Sequence, residues 1–336
     1  MTTDTPTSSG APVAPVDLPV RAADGAPFDI VQTYHDLLAQ NRDLTKPVVA
    51  IKALISLLEN TNSVTAHETM DVLQASADRL TNSVRNPVPL VAGTHLFLWF
   101  VRQMLRDEGG NFENVRRHLV DNGQVFAQRA IHARTGVAEH GFRVIKPGQT
   151  VMTHGSSRAV LGLIERAQQA IPGRFKVIYV RDHYNPKESE RVVSRLRKLG
   201  IPTAPIDGAS VLTAVKAAKP GVSAVFLGGE VITKGGGVIS RVGAAQVAQV
   251  AHESSIPVFV CGEEHKFVAF MPWWNEIGFD QKLLDFGTED AERPTTDDPV
   301  EWVPHDYVHQ LITERGLHLP NHVSTTIYQT YGSFDG

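Results

Sequence analysis

The sequence predicts an α/β protein with an N-terminal all-helical domain followed by a Rossmann-like domain that holds a mostly parallel sheet. From about Phe28 to Gly141, apolar residues recur at intervals of three and four, the period of a buried helix face. After Lys146-Pro147-Gly148, short apolar runs alternate with amphipathic helices, which is typical of βαβ units. A length of 336 residues leaves room for about two domains.

Residues 1–27 predict a disordered tail, because they are rich in Pro, Ser, Thr and Gly and offer little to bury. They lack the apolar core of a signal peptide, and no apolar run in the chain approaches the ~20 residues that cross a bilayer. The formal charge of −4 and a pI near 6.4 argue against a DNA or RNA binder. The single cysteine, Cys261, excludes an intrachain disulfide, so we expect a cytosolic protein without a membrane or DNA partner.

Residues 28–141 form the predicted helical domain. Apolar residues lie on one stripe of a helix that starts near Pro47, a residue favoured in a first turn: Val48, Ile51, Ile55 and Leu58. The next long helix, LVAGTHLFLWFVRQML, is apolar on several sides, as expected of a buried helix. The segment from ENVRRHLV to HGFRVI predicts a long connecting helix.

Residues 142–336 form the predicted Rossmann-like domain. Its expected strands are TVMTH, FKVIYV, PTAPI, AVFLG and PVFVCG. The helices between them run from about Ser157 to Ala170, Pro186 to Leu199, Ala209 to Ala218 and Gly243 to Ser254. Residues 280–301 are acidic and predict a solvated loop, and HDYVHQLITERGLHLPNHVSTTIYQTY returns to helical spacing.

The first candidate site follows the first strand, because ligands of open α/β sheets bind at the carboxyl ends of the strands. There THGSSRAV opens a helix with His154, Gly155, Ser156, Ser157 and Arg158. Small residues at a helix N-terminus let backbone N–H groups approach a phosphate, and an arginine adds a bidentate contact. The alternative is that Ser156 or Ser157 only caps the helix. The segment matches neither the dinucleotide glycine fingerprint nor a Walker loop.

Two further strand ends carry polar groups. Asp182 and His183 suit a ribose hydroxyl, or equally a turn before the next helix. LGGEVITKGGGVISRVG places Glu230 and Arg241 beside glycine turns, which suits a polar ligand; the alternative is a β-turn with a surface acid.

The last strand end holds a scattered polar set and the cysteine. Glu263, Glu264, His265 and Lys266 include no His pair at metal-ligand spacing, so no metal site is expected. Cys261 ends an apolar run, which favours a buried inert thiol over a nucleophile.

From about Phe28 to Phe334, the order of these segments resembles that of the regulatory subunits of eukaryotic translation initiation factor 2B. Within that group the chain looks most like the alpha subunit. The sharpest parts of the resemblance are three groups of residues: Thr153-His154 with Ser157-Arg158, Gly229-Glu230 with Gly236-Gly237, and Glu264 with Lys266-Phe267. The same fold serves isomerases of methylthioribose 1-phosphate and ribose 1,5-bisphosphate.

The resemblance implies a phosphate pocket without the isomerase machinery. The catalytic cysteine of those enzymes corresponds to Gly155 and their catalytic aspartate to Glu230. An arginine on an early helix corresponds to Lys52, and the Asn-Lys of a later turn to Ser240-Arg241. Positive residues are retained, so the resemblance implies a vestigial pocket for a sugar phosphate or a nucleoside monophosphate, with no required cofactor. Its implied lining is Lys52, His154, Gly155, Ser156, Ser157, Arg158, Glu230, Arg241 and Lys266.

The resemblance also implies a non-enzymatic role in the exchange factor that acts on initiation factor 2. Two such subunits pair through their α/β domains and bridge two sets of beta, gamma, delta and epsilon subunits into a decamer. The helical domains help to sense initiation factor 2 with a phosphorylated alpha subunit. The alternatives are a homo-oligomeric sugar-phosphate isomerase with Glu230 as base, and a generic nucleotide-binding α/β protein, which the missing glycine fingerprint disfavours.

Overall fold

The computed structural model describes residues 28–41, 44–60, 65–84, 86–107, 112–269 and 299–331. The predicted disordered tail and residues 280–298 of the predicted acidic loop therefore lie outside the described residues.

Five helices build the N-terminal region: α1 (Ile30–Gln40), α2 (Lys46–Asn60), α3 (Ala66–Asn82), α4 (Val88–Asp107) and α5 (Phe112–Gly141). Local capping explains where two of them begin. The Asp29 carboxylate accepts the Val31 N–H at 2.9 Å at the start of α1, and the Thr65 hydroxyl accepts the Glu68 N–H at 3.2 Å at the start of α3. These side chains satisfy amide groups that have no partner within the helix.

Helix α2 is the centre of this region and packs against α4 and α5. Its predicted stripe is buried together with most of its other apolar residues, so the helix is surrounded on several sides. Glycine permits the close contact with α4, because a Cβ on Gly93 would lie 2.6 Å from the Pro47 carbonyl oxygen. Burial also accounts for the apolar composition of α4. Its window Val88–Leu105 is long and apolar enough to cross a membrane, yet 56% of it is buried inside the fold.

A seven-stranded sheet forms the framework of the second region and confirms the predicted α/β class. Its strands are β1 (Thr150–His154), β2 (Lys176–Val180), β3 (Thr203–Ile206), β4 (Val222–Gly228), β7 (Val258–Cys261), β10 (Gln310–Thr313) and β11 (Gly316–His318). Their order is β11-β10-β7-β4-β1-β2-β3, and only the β10–β11 pairing is antiparallel. The helices are α6 (Arg158–Ala170), α7 (Pro186–Lys198), α8 (Val211–Ala217), α9 (Ala244–Glu253) and α10 (His322–Tyr331).

The strand order reverses direction between β1 and β4. From β1 the chain adds β2 and β3 on one side, and it then returns to place β4, β7 and β10 on the other. At such a reversal the connections after the two neighbouring strands diverge and leave a crevice at their carboxyl ends. His154 and Gly228 end these two strands and therefore mark the crevice.

A second, four-stranded sheet was not predicted. It has the order β8-β5-β6-β9 and consists of β5 (Val231–Thr233), β6 (Val238–Arg241), β8 (Phe267–Val268) and β9 (Val300–Val303). The glycine-rich segment between Glu230 and Arg241 contains the turn of the β5–β6 hairpin. Gly236 has φ +81°, and a Cβ on Gly237 would lie 2.1 Å from the Trp302 ring. These two glycines therefore serve the turn and the packing of β9.

The prediction of helical spacing throughout the C-terminal segment was wrong. Residues 310–318 form the antiparallel pair β10–β11, and only His322–Tyr331 is an α-helix. The short run Leu311-Ile312 is fully buried as a sheet strand beside β7. A short apolar run fits a buried strand as well as a helix, and here pairing with β7 decides between them.

A candidate anion-binding cleft at the switch point

The crevice between β1 and β4 is a cleft of about 190 Å³. Its described lining comes from four parts of the chain: residues 45–47 before and within α2, the β1–α6 turn, the β4–β6 region, and the segment after β7. The lining residues are Thr45, Lys46, Pro47, His154, Gly155, Ser156, Ser157, Arg158, Ala159, Gly228, Gly229, Glu230, Ser240, Arg241, Glu263 and Lys266. Eight of the nine predicted site residues are among them, and Lys52 is not.

The β1–α6 turn brings backbone amides to the cleft. Gly155 adopts φ +71°, a left-handed conformation that L side chains rarely adopt, and so redirects the chain at the end of β1. The Ser157 hydroxyl accepts the Val160 N–H at 3.4 Å, so Ser157 caps the N-terminus of α6, as one of the two interpretations of the sequence expected. The cap leaves other first-turn amides of this 13-residue helix at the cleft, where the helix dipole favours an anion.

Gly228 permits the β1–α6 turn to approach β4 this closely. A Cβ on Gly228 would lie 2.3 Å from Ser157 Cβ and 2.4 Å from its hydroxyl oxygen. The Ser240 hydroxyl donates to the Gly228 carbonyl oxygen at 2.7 Å and holds β6 against β4. The absence of a side chain at one position thus determines where the helix N-terminus lies.

The helical region closes one side of the cleft. Arg158 Nη1 donates to the Leu44 carbonyl oxygen at 2.9 Å, which ties the start of α6 to the segment before α2. Lys46, the first residue of α2, lines the cleft, and burial lowers its pKa while the Glu230 carboxylate opposes the shift.

The prediction of Lys52 therefore needs correction. Lys52 follows Lys46 by six residues, which at 3.6 residues per turn places it about 9 Å further along α2 and on a different face. Lys46 was not among the predicted site residues, although a lysine immediately before the helix-starting Pro47 was a usable signal.

Arg241 is held by a buried carboxylate. Its Nε lies 3.6 Å from Asp182 Oδ2, and the side chains are 16% and 4% exposed. Asp182 also accepts the Tyr184 N–H at 2.9 Å. Asp182 therefore forms the turn before α7 that the sequence allowed, and it also pairs with Arg241 beside the cleft. His183 is exposed and does not line the cleft.

His154 lies beneath Arg241 as a neutral ring. Burial, aided by the positive charge of Arg241 and opposed by Asp182, lowers its pKa to about 4. A Cβ on Gly243 would lie 2.6 Å from His154 Nε2, so the backbone before α9 packs directly on the ring. His154 therefore contributes shape and a neutral nitrogen at pH 7 rather than positive charge.

Of the two adjacent glutamates after β7, Glu263 faces the cleft and Glu264 does not. Lys266 Nζ lies 2.8 Å from Glu263 Oε2 and donates to the Gly229 carbonyl oxygen at 3.1 Å. Burial alone would raise the pKa of Glu263, but the neighbouring Lys266 ammonium holds it below its usual range. Glu263, which was not among the predicted site residues, therefore lines the cleft, whereas Glu264 does not.

Neither a thiol nor a metal group is found at the cleft among the described residues. Cys261 is completely buried in β7, as expected, and burial raises the pKa of its thiol above its usual range. No cluster of three or more His, Cys, Asp or Glu residues suited to a metal ion occurs in the described part of the chain.

The charge balance of the cleft favours an anion that also carries hydroxyl groups. Its described lining holds four cationic side chains and two carboxylates, an excess of two positive charges. The amide groups at the start of α6, with Arg158, suit a phosphate. The Glu230 carboxylate accepts hydrogen bonds and can orient a hydroxyl group, so the arrangement fits a small phosphorylated polyol.

Comparison with known proteins decides the family. Residues 42–320 match the model of the initiation factor 2 subunit family. The chain belongs to this family. It is 24% identical over 319 residues to translation initiation factor eIF2B subunit alpha of Dictyostelium discoideum, a match that covers 90% of this chain and 97% of the relative. It is 26% identical over 242 residues to ribose 1,5-bisphosphate isomerase of Archaeoglobus fulgidus, covering 69% and 74%.

Solved structures of this family share the fold. A chain of the tetrameric eIF2B-beta2-delta2 complex from C. thermophilum matches with a TM-score of 0.70 and 20% identity, covering 90% of this chain and 94% of that one. The eIF2B beta structure from Chaetomium thermophilum matches with a TM-score of 0.68 and 17% identity, covering 92% and 93%.

Proposed function

We propose that this family member is a non-catalytic regulatory subunit of the complex that exchanges guanine nucleotide on translation initiation factor 2. The observation that carries the proposal is the extent of the similarity to the alpha subunit, which spans 90% of this chain and 97% of the relative. The isomerase match spans only 69% of this chain. The exchange chemistry then belongs to another subunit.

In this role, two copies pair through their α/β regions and bridge two sets of beta, gamma, delta and epsilon subunits. The edge of the sheet at β11 supports a protein partner, because Leu317 and Leu319 are 40% and 57% exposed there and Tyr328 of α10 is 65% exposed. The helical region contributes to a surface that recognises initiation factor 2 with a phosphorylated alpha subunit. With a formal charge of −4, the chain must do this through local basic residues.

The cleft in this proposal holds a sugar phosphate as a regulatory ligand. Its volume of about 190 Å³ is below the roughly 300–1,000 Å³ of drug-sized ligand pockets. A nucleoside monophosphate adds a purine or pyrimidine ring to the sugar phosphate, so the volume favours the smaller ligand. In this proposal the phosphate binds at the start of α6. The sugar hydroxyls are oriented by Glu230 and by the part of the cleft that Ser240 lines.

Native mass spectrometry of the protein captured gently from its own cells tests the regulatory role. The proposal expects a complex near decamer mass that contains four other kinds of subunit. A homo-oligomer without these partners contradicts it and favours the isomerase. Calorimetry with ribose 5-phosphate and AMP then tests the cleft, and no heat with either compound contradicts the ligand proposal.

The second candidate function is isomerisation of a sugar phosphate, which the match to ribose 1,5-bisphosphate isomerase supports. Glu230 lines the cleft and is available as a base, but no thiol lies at Gly155. Phosphorus NMR of ribose 1,5-bisphosphate incubated with the purified chain separates the two functions. The regulatory proposal expects no conversion, and turnover overturns the non-catalytic assignment.

Restoring the isomerase residues tests whether the cleft is a vestigial active site. In the Gly155→Cys, Glu230→Asp variant the new Cβ has space, since its nearest neighbour would be Arg241 Cγ at 3.9 Å. The φ of +71° costs about 1–2 kcal/mol for a non-glycine residue. Gly155→Ala with Glu230→Asp is the matched control, because it carries the same strain without the thiol. Turnover only in the cysteine variant supports the vestigial site.

A further inference from the structure

The 3₁₀ turn Glu264–Lys266 connects the cleft to a second group of charges behind it. On one side, Lys266 and the preceding Glu263 line the cleft. On the other side, the Glu264 backbone N–H donates to both carboxylate oxygens of Glu314, at 3.3 and 3.0 Å. Glu314 lies on the turn between β10 and β11 and does not line the cleft. Its carboxylate therefore anchors the turn that presents Glu263 and Lys266.

The carboxylate of Glu264 is also buried beside this anchor. Glu264 is 8% exposed, and its nearest counter-charge is Arg315 Nε, 3.0 Å from Glu264 Oε2. The Arg315 side chain is 61% exposed, so solvent screening weakens its attraction for the Glu264 carboxylate. Glu314 packs directly on α5, because a Cβ on Gly136 would lie 2.7 Å from Glu314 Cβ. The same turn therefore carries one buried carboxylate, that of Glu264, and binds a second, that of Glu314, through its backbone N–H.

Other charged groups around this pair come from four elements. On β11, His318 interacts electrostatically with Arg315, and burial lowers the pKa of His318. On α5, Arg134 Nε lies 3.8 Å from Glu263 Oε1. Within the turn itself, Glu263 and Lys266 form their own pair and His265 is buried without a hydrogen-bond partner among the described residues. From α4, His95 and Arg102 lie beside Phe267. These groups leave the Glu264/Glu314 pair with Arg315 as its direct cationic partner.

We propose that Glu314 is a positioning residue of the anion cleft and that a proton shared by Glu264 and Glu314 links anion binding to pH. The inference rests on the proposed ligand role of the cleft. Burial and the Glu314 charge raise the pKa of Glu264 to about 7, and burial raises the pKa of Glu314 as well. Because both values are raised, the pair gains a proton as pH falls through neutrality and loses it as pH rises.

The sign of the effect follows from the charges. Below pH 7 the proton removes the repulsion between Glu264 and Glu314 and one negative charge behind the cleft. Above pH 7 both carboxylates are ionised, which strains the anchored turn and disfavours an anion in the cleft. Anion affinity is therefore higher at pH 6 than at pH 8. If anion binding changes the pKa of the pair by one unit, the affinity of the fully protonated pair differs from that of the fully deprotonated pair by about tenfold.

Sulfate is the appropriate probe because its charge is constant over this range, whereas a phosphate ester itself titrates near pH 6. Calorimetry of sulfate binding to the full chain at pH 6 and pH 8 measures the linkage. We expect wild-type affinity to fall by about threefold to tenfold between the two values. Glu264→Gln keeps the backbone donor to Glu314 and removes the titrating carboxyl, so its affinity should hold near the pH 6 value at both pH values.

Two further variants make the test specific. Glu314→Gln removes the repulsive neighbour and should move the transition of affinity to lower pH. Glu190→Gln, an exposed carboxylate of α7, should retain the wild-type dependence. A wild-type slope that persists in Glu264→Gln overturns the inference and assigns the dependence to another group, such as Lys46. Failure of sulfate to bind wild type at either pH overturns the cleft proposal together with this inference.

Discussion

Replacing Gly228 by alanine tests whether a missing side chain sets the geometry of the cleft. The new methyl group would lie 2.3 Å from Ser157 Cβ and 2.4 Å from the Ser157 hydroxyl oxygen. The position of Ser157 Cβ is fixed by the helix backbone, and rotating the hydroxyl would break its cap on the Val160 N–H, so β4 and α6 must separate. Overpacking of this kind costs about 1–3 kcal/mol, and a weakened Ser157 cap adds about 1 kcal/mol. We expect Gly228→Ala to destabilise the protein by about 2–4 kcal/mol.

Gly162→Ala is the matched control because it makes the same substitution within α6. A Cβ at Gly162 would meet only the Ala138 methyl group at 3.9 Å, an ordinary contact. Alanine in a helix interior is favoured over glycine, so this variant should gain about 0.5–1 kcal/mol. The two substitutions are thus expected to have opposite signs.

Urea unfolding followed by circular dichroism measures both changes, and calorimetry with ribose 5-phosphate measures the effect on the cleft. Gly228→Ala should also weaken ribose 5-phosphate binding by at least about tenfold, since a shift of Ser157 moves the helix amides that would hold the phosphate. The reasoning is refuted if Gly228→Ala is as stable as wild type. It is equally refuted if Gly162→Ala loses as much stability as Gly228→Ala.

The other predictions concern charge and reactivity. Lys46→Met should weaken ribose 5-phosphate binding about tenfold or more, measured by calorimetry, because a charge-assisted hydrogen bond is lost. Lys52→Met should leave the affinity unchanged, and equal effects of the two variants would contradict the placement of Lys46 in the cleft. Arg241→Met should destabilise by about 3–5 kcal/mol in urea because it leaves Asp182 buried with its charge, and adding Asp182→Asn should restore much of this loss; no recovery would contradict the pairing. Cys261 should resist iodoacetamide at pH 8 in the native protein and react fully in denaturant by mass spectrometry; rapid native labelling would contradict its burial.

Much of the fold was predictable because it depends on local periodicity. The three-and-four spacing of α2 and the alternation of β1, α6 and β2 follow from which residues must be buried in each element. The β1–α6 turn was found for the same reason, since His154, Ser157 and Arg158 follow a strand and open a helix. These signals lie within a few residues of one another.

The elements that were missed depend on distant partners. Strand β6 pairs with β9, whose residues are 59 to 65 positions further along the chain, and β10 is a strand because it lies beside β7. Neither segment carries enough local pattern to exclude a loop or a helix. The same limit applies to Glu263 and Glu264, because two adjacent identical residues differ only in the direction that the 3₁₀ turn gives them.

The sequence by itself determined the α/β class, the helical region before it, and the strand ends at which charged residues cluster. Only the tertiary structure decided that Lys46 rather than Lys52 reaches the cleft, that Asp182 holds Arg241, and that Glu314 supports the turn from behind. The physical reason is that secondary structure responds to neighbours along the chain, whereas a binding cleft is assembled from side chains far apart in sequence. Their directions are set by packing, and packing acts only once the whole chain has folded.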